Sequence, residues 1–216
     1  MALPITGQAQ GLVLAASQKS GQPASVSTGW HNELLLTELL PRYSNLVQAG
    51  VVFEINFPAA AFAAPSATST GAFFLFNQPN SGKNLHLIDT QVAVTTFTAI
   101  ATASMAVAII PVPNQTPTST SSTGVTIYNA LVGASNPTVA KGYVSGTLVG
   151  APVLGQRTIA SFVILTAVGA GALWQKDVID GAVVVAPGSG IEIQSVSGTE
   201  ADITGIVGLT WAELPV

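Results

Sequence analysis

Between Thr90 and Ala140 the chain runs for fifty-one residues without an Asp, Glu, Lys or Arg. Over all 216 residues it holds only six basic and ten acidic side chains, whereas an average soluble domain ionises about a quarter of its positions. A monomer in water relies on charge to stay dispersed, so a surface this poor in ions is expected to be covered by copies of the chain or by another protein.

Polarity comes instead from hydroxyls, with 22 Thr and 18 Ser in the chain. Val, Ile and Thr are stiff at χ1 and fit a pleated surface better than a helix. The 21 Gly and 13 Pro add frequent turns. The length suffices for one sizeable core, and all-β domains of this size are commonly single. These features predict an all-β fold, a two-sheet β-sandwich or jelly roll, with one short helical segment near the N-terminus.

Residues 1–30 carry little periodicity and read as an extended arm, followed by a single β-sandwich domain over 31–216. The helical segment falls at about 34–48, where Leu36, Leu39, Leu40, Tyr43, Leu46 and Val47 recur at three- and four-residue spacing. Pro41 implies a kink or two short helices, and Gly50 stands where a C-terminal cap belongs.

From Val51 the period becomes two. Val51, Phe53, Ile55 and Phe57 alternate with Val52, Glu54 and Asn56, a half-buried strand ending at Pro58. Further strands are expected at Phe73–Phe76, Leu85–Asp89, within Gln91–Ile110, at Val125–Leu131, Gly142–Val149 and Arg157–Val168. Pro111–Gly124 reads as a loop. Asp180-Gly181 signals a tight hairpin turn and Pro187–Gly190 another, with Ile191-Glu192-Ile193-Gln194 apolar inward and polar outward. In the last strand Ala201, Ile203, Gly205, Val207, Leu209 and Trp211 share one parity, and Gly205 and Gly208 mark a bulge. The uncharged stretch Val92–Ile110 is apolar enough to suggest a membrane span. It lacks flanking Lys, Arg, Trp or Tyr anchors and is rich in β-branched residues and Ala, so buried strands are the better reading.

The motifs that carry chemistry are missing. Lys19, Arg42, Lys83, Lys141, Arg157 and Lys176 are spread singly, which excludes the clustered basic footprint of a nucleic-acid surface. The absence of Cys excludes disulfides, thiolate catalysis and Cys-ligated zinc. Ser81-Gly82-Lys83 lacks the remainder of a phosphate-binding loop. His31 and His86 have no nucleophile elbow and no second His at i+4. Asp177 with Asp180, and Glu200 with Asp202, could offer oxygen to Ca²⁺ but match no loop motif and read as solvated turns. Asn114-Gln115-Thr116 is a glycosylation sequon that matters only on a eukaryotic secretory route. No catalytic, cofactor or metal residue is assigned.

Two stretches carry a resemblance. LTELLPRY at Leu36–Tyr43 running to GVVF at Gly50–Phe53, and VAPGSGIEI at Val185–Ile193 with LTWAELP at Leu209–Pro215, resemble small structural proteins of tailed bacteriophages. The resemblance implies a virion protein of the head-decoration or minor capsid type, commonly trimeric. The expectation is therefore a non-enzymatic subunit, located in the virion, that oligomerises and decorates or cements a phage capsid. Its partners would be further copies of itself, a trimer being favoured, and other capsid proteins, without nucleic acid or membrane. Trp30, Leu36, Leu39, Leu40, Tyr43 and Trp211 are the candidate oligomer or docking contacts. The alternative is a receptor-binding spike or surface adhesin of the same architecture, with the Pro111–Gly124 loop as its tip.

Overall fold

The computed structural model describes residues 42–62, 70–97, 103–112, 123–147, 157–164, 173–197 and 203–216. The arm over 1–30, the first part of the helical segment, Trp30, His31, Leu36, Leu39, Leu40, the sequon, Glu200 and Asp202 lie outside the described residues. The chain divides into two compact units, Met1–Asn45 and Leu46–Val216.

The described helix is short: α1 spans Ser44–Gln48. It ends as the sequence predicts. Gly50 adopts φ 68°, its N–H donates to Val47 O at 2.8 Å, and the Val51 N–H donates to Leu46 O at 3.2 Å. That pair of bonds is the Schellman arrangement, which closes a helix on a left-handed glycine.

Everything else regular among the described residues is strand. In chain order these are β1 (Val52–Asn56), β2 (Ala60–Ala61), β3 (Thr70–Asn77), β4 (Lys83–Phe97), β5 (Ala103–Val112), β6 (Thr123–Val125) and β7 (Ile127–Asn129). There follow β8 (Ala140–Thr147), β9 (Arg157–Ile164), β10 (Leu173–Val178), β11 (Val184–Val185), β12 (Gly190–Ser197) and β13 (Ile203–Pro215). They form two antiparallel sheets. The first runs β10-β4-β13-β1-β7, with β11 also on β4 and β2 also on β13; the second runs β6-β8-β3-β12-β5-β9.

The connectivity is specific. The main strands β1, β3, β4 and β5 visit the two sheets in turn, β9 stays in the second, and β10, β12 and β13 alternate again. Eight strands ordered β10-β4-β13-β1 in one sheet and β3-β12-β5-β9 in the other are the jelly roll, the double Greek key of antiparallel sandwiches. Between β5 and β9 an excursion adds β7 to the β1 edge of the first sheet, and β8 and β6 to the β3 edge of the second. The sequence expectation of one strand over Val125–Leu131 is thereby corrected. The chain changes sheets at Thr126, so Val125 and Ile127 belong to β6 and β7 in different layers, and both still pack on the core.

The two inner faces supply that core. Phe53, Ile55, Leu85, Leu87, Val92, Val207, Leu209 and Trp211 come from the first sheet. Phe73, Leu75, Val107, Ile109, Ile191 and Ile193 meet them from the second. Phe73 holds the layers together through ring contacts with Phe57 at 5.6 Å and Phe62 at 5.4 Å between centroids. Such tilted and edge contacts add about 0.5–1.5 kcal/mol beyond area burial.

The outward parity of the second sheet is a correction. Glu192 and Gln194 were expected to face solvent, yet both are buried. Phe74, Phe76, Ile110 and Val112, on the same side of the sheet, are buried as well. Unbroken apolar runs such as Phe73–Phe76 and Ala106–Ile110 fit a sheet covered on both faces better than one with a wet side. The apolar Val92–Ile110 stretch lies in β4 and β5, and no helix among the described residues is long and apolar enough to cross a membrane.

Three further differences have local causes. The expected break at Thr90 is absent, and β4 runs unbroken through it because Thr90 pairs with Leu209 on one side and Asp177 on the other. Pro111 belongs to β5, opposite Ile191, beyond the last residue that β9 pairs; this is the edge setting a strand proline tolerates. Asp180-Gly181 does not join two paired strands. β10 and β11 both run antiparallel to β4, so the turn, with φ 62° and 80°, is an outward loop along one edge. It is stitched down at the bulge residue Ile88, whose carbonyl accepts the N–H of Ile179 at 2.9 Å and of Asp180 at 2.8 Å.

Gly205 sits at a register shift, as its sequence position suggested, with Thr95 the extra residue on the facing strand. A Cβ there would come within 2.5 Å of Ala93 O and of the Phe62 ring. The second shift lies between Thr210 and Trp211 and not at Gly208.

Candidate interaction surface

The outward face of the first sheet is the part of the described molecule where apolar side chains meet water in register. Antiparallel pairing sets it out in rungs. The first is Trp174–Ala93–Ile206 and the next Lys176–Gln91–Gly208–Asn56. Then comes Val178–Asp89–Thr210–Glu54–Tyr128, and last Val184–His86–Ala212–Val52. Along this face Trp174 is 61% exposed, Tyr128 65%, Val178 53%, Val184 46% and Ile206 42%. Single exposed apolar residues are ordinary; these five share one sheet face, with Lys176, Gln91, Asp89, Thr210 and Glu54 interspersed, and make it the candidate contact surface.

Some polar groups of the face are paired with one another. Lys176 Nζ lies 3.0 Å from Asp89 Oδ2, and Thr210 Oγ1 donates to Asp89 Oδ1 at 3.2 Å. Thr95 Oγ1 donates to Thr204 O at 3.2 Å, and Thr204 and Thr96 share a hydroxyl contact. Both partners of the Lys176–Asp89 pair are partly exposed, so it contributes at most about 1 kcal/mol. It does lower the cost of covering the face, because the two charges are already matched.

A second exposed apolar feature is the turn after β7. Leu131 and Val132 project there, Val132 being 96% exposed, on a turn closed by the Ala134 N–H to Leu131 O at 2.9 Å. The turn is anchored from behind: Asn129 Nδ2 and Asn136 Nδ2 both donate to Gly50 O, at 2.8 and 3.2 Å.

Charge is otherwise used to fix the scaffold. Glu213, on the inward parity of β13, has its side chain wholly buried. Its Oε1 accepts the Thr138 hydroxyl at 2.5 Å and the Val139 N–H at 2.9 Å, while Oε2 takes Lys83 Nζ at 3.2 Å. On the opposite side of the sandwich, Arg157 of β9 grips Asp177 of β10 bidentately at 2.7 and 3.1 Å. The hydrogen bond to Asp177 raises the Arg157 pKa above its ordinary value against the opposing effect of desolvation. Gln175 Oε1 meanwhile accepts the Ser161 N–H of β9 at 2.9 Å, and Arg157 Nη2 donates to Val178 O at 3.3 Å. The sequence context of Asp177 suggests a solvated turn residue. It is a strand residue in an ion pair, a partnership between positions twenty apart that no local pattern signals.

Trp211 is corrected. Of its two expected roles, core anchor or docking contact, it has the first: it is fully buried on the inner face and stacks on Phe53 at 6.2 Å. The parity that placed Trp211 with Leu209 and Val207 was the available clue to its burial. Tyr43 is half-buried at φ 68°, with the Arg42 guanidinium 5.3 Å from its ring centre. Trp174, by contrast, is an exposed aromatic of the sheet face, and Val178, Val184, Ile206 and Tyr128 beside it were not singled out from sequence. Their parity was readable, but which face of each strand looks outward depends on the pairing. Among the described residues no three of His, Asp or Glu gather as a metal site would require. Comparison with protein-family models, with curated proteins and with solved structures returns no match.

Proposed function

We propose that this chain is a non-enzymatic structural subunit of a bacteriophage virion, which oligomerises through the outward face of its first sheet and decorates or cements the capsid beside other capsid proteins. The observation that carries the reading is the in-register exposure of Trp174, Val178, Val184, Ile206 and Tyr128 on a chain with so few ionised side chains. The jelly-roll strand order supports it, as does the resemblance of Leu36–Tyr43 with Gly50–Phe53, and of Val185–Ile193 with Leu209–Pro215, to small phage structural proteins. Covering such a face returns about 25 cal/mol per Å² of apolar surface. A standard interface buries about 800 Å² per partner, and its affinity is set by packing and charge complementarity more than by area. A trimer is the favoured state.

Light scattering on the purified full chain tests this. The expected result is an oligomeric mass, reduced to that of one chain by W174S combined with I206S, with the thermal transition of the sandwich retained. A wild-type chain that stays monomeric at millimolar concentration overturns the proposal. So does an oligomer indifferent to both substitutions, as far as this face is concerned. Immuno-electron microscopy of particles would then locate the subunit on the shell.

A further inference from the structure

We draw no further inference here: the strongest candidate, the open apolar groove of about 320 Å³ between β6, β7 and β8 lined by Val125, Ile127, Ala140 and Tyr143, carries nothing because nothing in the structure shows what covers it.

Discussion

Replacing Glu213 with Ala should destabilise the sandwich by about 4–7 kcal/mol, the sum of the contacts its carboxylate makes. The figure can be assembled from the contacts. The carboxylate takes two hydrogen bonds, from the Thr138 hydroxyl and the Val139 N–H, each bond to a charged acceptor being worth about 1.5–3 kcal/mol. Lys83 adds less, about 1 kcal/mol, because its side chain is 35% exposed and remains hydrated when its partner is gone. Glu213→Gln should cost only about 1–2 kcal/mol, since the amide oxygen can still accept from Thr138 and Val139 while its NH₂ group faces the Lys83 ammonium. Urea denaturation of the wild type, E213A, E213Q, K83M and the E213Q/K83M pair reads these values directly. A midpoint for E213A within about 0.5 kcal/mol of wild type would refute the assignment of the carboxylate as the anchor of Thr138–Val139, given the usual error of extrapolation. A coupling energy of zero between Glu213 and Lys83 would limit the refutation to the charge pair.

The close approach at Gly205 predicts that G205V fails to give soluble protein, because backbone and an aromatic ring both occupy the space of its Cβ. G208A meets only the movable end of Asn56 and should express normally. Gln175→Ala should cost about 1 kcal/mol and release the Ser161 amide to faster hydrogen exchange, with amides on β12 unaffected. Arg157→Lys keeps the charge but loses the fork, so its melting temperature should fall toward that of R157A rather than match wild type. Since the Arg157 pKa is raised, its contribution is complete below the guanidinium's unfolded-state value and is lost only above it, so a melt at about pH 9 should show the same wild-type-to-R157A difference as one at about pH 7.

Fold class was legible because its cause is local. Alternation in Val51–Phe57 and Ile203–Trp211 states which side chains go inward, and Gly50 states where the helix stops. What could not be read depends on partners distant in sequence. Glu192 and Gln194 look like solvent-side residues on their own strand, and their burial follows only from the sheet around them. Asp180-Gly181 has hairpin chemistry, but the strands on either side of it pair with β4 instead of with each other. The candidate face was half visible: composition suggests a surface in need of cover, while the position of that face required the registers that put Trp174 and Ile206 on one rung and Val178 and Tyr128 on another. The long-range bonds of Glu213 and Arg157 left no trace in spacing at all.

The side-chain bridges between β9 and β10 bear on how copies of this molecule could multiply. Open sheet margins invite a foreign strand, and fibrils grow that way. Here the Ser161 N–H and the Val178 carbonyl, two of the groups such an intruder would use, are already occupied by Gln175 and Arg157. A strand added at that rim would first have to break both side-chain bonds.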